Sequence, residues 1–326
     1  MKKKLKIVLS ILIIFFATLS SFVLVYFFGD SYPEFYAVAT KSFLIPGLET
    51  TFVPQGLDYD NTNNKFLVGG YMSSGEPSRL YIVDNQTGNA EKYVTFTIDN
   101  QDYVGHCGGV AIDGNWAWIV GDKMIYRFEY NSVLSAQNAS KINFIDSFET
   151  GNGCDFVLVN NNKLIVGEFY KAGKYDTTST HHLQINQTET NCALAYIYSI
   201  DQTKTCGLAS DTPEAGISLP NQVQGMSFTK DGNIVLSTSY SIPNSQILIY
   251  ENVLQNTPQT QINLNDKNIP VFVLSNQNKI KTISACAMSE ELVLVDDKVY
   301  LLFESDCSKY RLINRERLSH VYALDI

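Results

Sequence analysis

The sequence carries none of the short motifs that announce common hydrolase or nucleotide sites. There is no Gly-x-Ser-x-Gly, no His-Glu-x-x-His and no phosphate-binding Gly-Lys-Ser/Thr loop. Those absences set aside an elbow-serine hydrolase, a zinc peptidase of that type and a P-loop enzyme. None of the six cysteines forms a Cys-x-x-Cys pair, so the usual zinc spacing is missing. Charge is scarce, at 17% of residues, and positive charge is scarcest. Beyond the four lysines near the N-terminus, 20 basic residues face 33 acidic ones, a balance of −13. An acidic surface repels phosphate backbones, which argues against a nucleic-acid partner and leaves cations or neutral ligands such as sugars. After the N-terminal region no apolar stretch holds a 3.6-residue period, so helices should be few.

One long apolar run is present. Residues 7–28 contain no charge and are interrupted only by Ser10, Thr18, Ser20 and Ser21. About 20 such residues span a bilayer as a helix. Lys2, Lys3, Lys4 and Lys6 before it, with no acid among them, place residues 1–6 in the cytoplasm. The expectation is a single-pass anchor in the lipid bilayer, a connector over 29–37 and an extracellular domain over 38–326. A cleaved signal peptide is the rival, offered by the small residues from Ala17 to Ser21. Either way the body is exported, and six cysteines in an exported domain read as disulfides. Blade order suggests Cys107–Cys154 and Cys286–Cys307, with Cys192–Cys206 left by elimination.

The body is organised around a unit seen best at residues 53–97. A strand (56–59) is followed by a polar turn (60–64), a second strand (65–70), a loop, a third strand (79–83) and a fourth (90–97). The unit recurs with starts at His106-Cys-Gly-Gly-Val, Cys154-Asp-Phe-Val, Gln224-Gly-Met-Ser and Glu290-Glu-Leu-Val. Every first turn is rich in Asn, Asp or Gly, as tight hairpins demand. The third strands echo one another: Ser78-Arg-Leu-Tyr-Ile, Ser245-Gln-Ile-Leu-Ile and Ser319-His-Val-Tyr-Ala. The expected fourth strands of units two and four are 142–148 and 260–264. Unit five ends after three strands, so a strand over 38–45 should complete it beside 322–326 and close the ring. With aromatics at 12%, this pattern resembles the β-propeller repeat proteins as a broad class, over roughly residues 38–326. It lacks a Trp-Asp repeat ending, and Gly69-Gly70 occurs once, so neither that signature nor a kelch-type one is matched. The resemblance implies an all-β, five-bladed β-propeller of four-stranded antiparallel blades; the apolar run adds the expectation of one transmembrane helix before it.

In propellers the first strand of each blade lines the channel, and its start lies at the same end as the loop between strands two and three. That end is the usual ligand face. Aligning the blades on their first turns places Gln55, His106 (beside Gly108), Asp155, Gln224 and Glu290 (beside Ser289) around the mouth. The loops add Tyr71, Glu168, Tyr240 and Glu304, with Glu76, Tyr170, Asn244 and Tyr310. Acids, amides and aromatics together suit a small-molecule, glycan or protein ligand, or a hydrated cation. Two carboxylates among Asp155, Glu290, Glu291 and Glu304 could instead hydrolyse a glycosidic bond or phosphate ester, with calcium at the axis as an option. Alternatively these residues only fill the mouth and hold water, as in a structural surface protein. His181-His182 falls in the polar insertion 171–191, expected to be a mobile cover, and an adjacent pair is a weak metal chelate. The run from Asp58 to Asn64 looks superficially like a calcium loop but lacks its glycine and terminal glutamate, so a hairpin turn is expected.

Overall fold

A computed structural model describes residues 6, 10–18, 20, 32–151, 153–264 and 266–326. By internal contacts the chain divides into two units, Met1–Pro33 and Glu34–Ile326. Most of the expected membrane span at 7–28 lies outside the described residues. Among the described residues no helix is long and apolar enough to cross a membrane.

The second unit is a five-bladed β-propeller. Its five inner strands are Phe52–Asp60, Gly109–Asp113, Phe156–Asn160, Val223–Phe228 and Ser289–Val295, each the first strand of an antiparallel sheet. The first turns form as their composition asks. In blade 1, Asp60 Oδ1 accepts the backbone N–H groups of Thr62 (2.9 Å) and Asn63 (3.1 Å), so the calcium-like run is a hairpin turn.

Closure follows the expected route. Strand Ala39–Leu44 pairs antiparallel with His320–Leu324, with Ala39 opposite Leu324 and Leu44 opposite His320. Blade 5 is thus built from both ends of the propeller, and the ring has no open sheet at its seam. Helix Pro33–Val38 precedes this strand, and its Phe35 packs on Phe303 and Tyr322 at 5.8 and 5.5 Å between ring centroids.

Two outer strands differ from expectation. In blade 2 the segment 142–148 is split. Ser140–Asn143 joins blade 1 parallel to Ala90–Ile98, and only Asp146–Glu149 pairs with Met124–Glu129. In blade 4 the outer strand is Lys279–Ala285. Thr260–Leu264 instead forms a hairpin with Lys267–Val273, which extends blade 3 through Ala215–Leu219. Outer strands are half exposed and alternate apolar with polar, so several segments fit one slot; inner strands are almost wholly buried and have no rivals.

Apolar side chains pack in the seams between blades. Leu67, Phe96, Val110 and Phe128 fill the seam of blades 1 and 2, while Trp118, Val157 and Tyr196 fill that of blades 2 and 3. Each fully buried side chain of this kind stabilises by roughly 1.5–3 kcal/mol.

The cysteines are not paired; all six are buried free thiols. The seams explain why. Cys107 packs between blades 1 and 2, Cys154 between blades 2 and 3, and Cys307 between blades 5 and 1. Cys286 donates to Glu316 Oε2 at 3.1 Å. Cys192 precedes strand Ala193–Ser199 and Cys206 follows it, so a strand length of ~20 Å separates them, far beyond the ~7 Å that a bridge tolerates. Burial pushes the thiols of Cys107 and Cys154 up to about 12, which keeps them protonated and inert.

The axis is plugged rather than open. Glu291 Oε2 accepts the backbone N–H groups of Leu57 (2.7 Å) and Val110 (3.2 Å), and Oε1 accepts that of Val157 (3.1 Å). One carboxyl from blade 5 therefore ties the inner strands of blades 1, 2 and 3. Close approach requires glycine here: a Cβ on Gly109 would sit 2.8 Å from Glu291 Oε1, and one on Gly225 would sit 2.6 Å from Glu291 Cα.

Candidate functional site at the channel mouth

A cavity of about 540 Å³ opens at one end of the axis, and residues from all five blades form its wall. Gln55 and Tyr71 come from blade 1, His106 from blade 2, Asp155 and Glu168 from blade 3, Gln224 and Tyr240 from blade 4 and Glu304 from blade 5. Of the nine residues singled out by repeat position, Glu290 alone is off the wall. It lies buried behind it, bonded to Gln224 and Glu304.

Backbone irregularities aim these side chains. The pairing register slips between Pro54 and Gly56, between Val223 and Gly225, and between Ser289 and Leu292. A bulge re-aims the residue it carries. Here the bulges carry Gln55, Gln224 and the pair Glu290–Glu291. In blades 2 and 3 the equivalent residues precede the strand: His106 stands before Cys107, whose φ is +55°, and Asp155 stands directly before Phe156–Asn160.

The floor is a hydrogen-bonded chain across three blades. Gln55 Nε2 donates to Glu304 Oε2 at 2.9 Å and to Pro54 O at 2.8 Å. Glu304 is hydrogen-bonded to Glu290, and Gln224 Nε2 donates to Glu290 Oε1 at 3.3 Å. Burial raises the Glu304 carboxyl to about 8, against the opposing pull of Lys309. Burial and the neighbouring Glu304 charge raise Glu290 as well. Two carboxyls in direct contact cannot both ionise freely, so the pair holds a shared proton near neutrality. Asp155 stands apart; its Oδ2 accepts the Phe169 N–H at 2.7 Å, and burial raises it to about 7.

The wall is aromatic. Tyr71 stacks on His106 with centroids 4.7 Å apart and planes 26° apart. Tyr240 faces Phe169 and Tyr175 across the mouth at 6.2 and 6.4 Å. Glu76, Tyr170 and Asn244 do not reach the wall. Tyr310 does, and so do Asp122 and Lys123, which the sequence argument missed. The signal for them was available: they occupy the loop between strands two and three of blade 2, the same position that flagged the other blades.

The insertion 171–191 covers one side of the cavity through Lys174, Tyr175, Asp176, Thr177 and Thr178. It is more ordered than a polar mobile loop, with a hairpin of Leu183–Asn186 and Glu189–Asn191. His181 anchors it. Its Nδ1 lies 2.9 Å from Glu168 Oε2, its Nε2 lies 3.0 Å from the Tyr196 hydroxyl, and Glu168 also accepts the Leu194 N–H at 3.0 Å. Glu168 is thus occupied in holding the cover. His182 turns the other way, with Nε2 3.1 Å from Thr177 Oγ1, so the two histidines cannot share an ion. Among the described residues no group of three or more His, Cys, Asp or Glu side chains is placed to hold a metal.

No protein-family model matches the sequence, and no curated protein matches it significantly. Among solved structures the chain is similar to a glutaminyl cyclase from Myxococcus xanthus, at 9% identity over 82% of this chain and 92% of that one, TM-score 0.45. It is similar to the PQQ-bound aldose sugar dehydrogenase from Streptomyces coelicolor, at 11% identity over 88% and 96%, TM-score 0.46. It is also similar to regucalcin, a calcium-binding protein from Agrobacterium tumefaciens, at 9% identity over 88% and 94%, TM-score 0.43. At these levels nothing passes from those proteins' ligands to this chain.

Proposed function

We propose that this chain is a membrane-anchored extracellular propeller that binds a small, polar, sugar-like ligand at the channel mouth. The observation that carries the binding role is convergence: five blades each place side chains on one cavity whose floor is acid and amide and whose wall is aromatic. Aromatic faces and directional polar groups are how concave sites hold small hydroxylated molecules. Anchoring and export rest on the apolar run 7–28 and the lysines before it; the free thiols lend no support to export.

Hydrolysis of a glycosidic bond fits less well. Glycosidase carboxyls stand roughly 5–10 Å apart, with the sugar between them. Glu290 and Glu304 are in hydrogen-bond contact, too close to flank a sugar as acid and nucleophile.

The test is a glycan and small-metabolite binding screen on the full chain, followed by alanine at Gln55, His106, Asp155, Gln224 and Glu290. Each lost buried hydrogen bond should weaken binding by roughly 1–3 kcal/mol. Binding that survives all five substitutions and maps to the outer blade edges would place function away from the cavity. Labelling of an introduced surface cysteine, Leu312→Cys, by a membrane-impermeant reagent on intact cells checks the orientation.

A further inference from the structure

We propose that the ligand of this cavity carries a protonated primary amine, and that the chain's own Lys309 occupies the amine position when the ligand is away. The inference rests on the binding role above and narrows its chemistry.

Lys309 lies in the loop after strand Lys298–Phe303, at the mouth, and its side chain is exposed. Its Nζ donates to the Tyr71 hydroxyl at 2.6 Å. The same ammonium stands 5.0 Å from the Tyr71 ring centroid and 4.9 Å from that of Tyr310. Both tyrosines belong to the cavity wall; the Glu304 charge is felt by both, and that of Lys309 by Tyr71. One aromatic ring (Tyr310), the Tyr71 hydroxyl as acceptor and a carboxyl pair beneath them form an ammonium-recognition set. The opposite wall repeats part of it: Lys171 and Lys174 stand 5.1 and 5.3 Å from the Tyr240 centroid.

A free anion is disfavoured, because the floor already concentrates Glu290 and Glu304. A neutral polyol could use the floor but would leave the tyrosine cage to Lys309. An alkylammonium reproduces the contacts of Lys309 and can displace it, since an exposed lysine loses only a weak cation–π contact and a single hydrogen bond.

The experiment uses n-butylammonium, which is the lysine side chain without its backbone, and n-butanol as its neutral counterpart. Both are titrated into the full chain, with binding read from the ring resonances of labelled tyrosine. Butylammonium should bind at least ~tenfold more tightly than butanol, the scale of a partly desolvated cation–π contact with a charge-assisted hydrogen bond. Lys309→Ala should tighten butylammonium about threefold or more by vacating the cage, and Glu304→Gln should weaken it about tenfold. Equal affinity for the alcohol, no binding of the amine to the Lys309→Ala chain, or weaker binding after Lys309→Ala would each overturn the proposal. Should a neutral sugar bind and be lost in Gln224→Ala while butylammonium does not bind, the amine is wrong and the cavity role stands.

Discussion

Glu290 and Glu291 are neighbours in one strand, both buried, yet they serve opposite ends of the design. Glu291 turns to the axis, where three backbone N–H groups from three blades meet its two oxygens. Glu290 turns to the mouth, where its partners are two side chains, Gln224 and Glu304. Backbone donors are fixed by the fold, so a carboxyl satisfied by them acts as a structural pin. Side-chain partners can rearrange or exchange a proton, so a carboxyl satisfied by them can respond to a ligand. The difference shows how one bulged strand joins a rigid axis to an adaptable floor.

The largest expected effect tests the rigid part as a whole. Deleting residues 31–47 removes Phe35, Phe43, Ile45 and the closing strand, and should destabilise the propeller by at least ~5 kcal/mol, read as a lowered thermal midpoint. Unchanged stability would mean that the ring does not depend on its seam.

Next is the pin itself. Glu291→Gln places an amide NH₂ against backbone donors and leaves at least one N–H unmatched. It should lower the free energy of unfolding by roughly 2–4 kcal/mol while leaving ligand affinity of the folded chain unchanged. A large affinity loss with intact stability would reverse the roles of the two glutamates.

The buried carboxyls make their own prediction with pH. Asp58, Asp155 and Glu304 are raised to about 7, 7 and 8, and Glu290 and Glu291 are raised as well, above their unfolded values. The folded state therefore binds more protons than the unfolded one between these limits. Stability from these groups is fully present below about pH 4, their unfolded range, and is lost as pH rises through 7 and 8, the opposite of the usual salt-bridged carboxylate. At about 1.4 kcal/mol for each pH unit by which a carboxyl is raised, the fall should total several kcal/mol, and Glu304→Gln should remove part of it. Chemical denaturation at a series of pH values measures this directly.

The smallest effect concerns the thiols. All six should react with an alkylating agent in denaturant without prior reduction, and slowly in the native state. Protection of any pair from alkylation in denaturant would restore a disulfide.

Much of this was legible in the sequence because inner strands and first turns carry redundant signals. Gly56 and Gly225 follow Gln55 and Gln224 at the same repeat position, and the Asp113-Gly-Asn and Asp231-Gly-Asn turns mark the same hairpin. Those anchors alone place Gln55, Asp155, Gln224 and Glu304 at one end of the channel, where they line the cavity. Outer strands were less legible. Thr260–Leu264 and Lys279–Ala285 both alternate, and which one reaches blade 4 depends on contacts distant in sequence. The axis was illegible for another reason. Nothing in Glu290-Glu291 says which carboxyl turns inward, since the bulge that decides it is set by pairing with the next strand. The cysteine pairs were not legible because neighbouring strand entrances turn their side chains into different seams, as Cys107 and Cys154 do.

The most direct test of this division of labour is the free energy of unfolding at pH 8 of Glu291→Gln beside Glu304→Gln. The account predicts opposite outcomes: Glu291→Gln loses roughly 2–4 kcal/mol, whereas Glu304→Gln is unchanged or gains up to ~1 kcal/mol because a strained charge is gone. Equal losses in both, or no loss in Glu291→Gln, would contradict it.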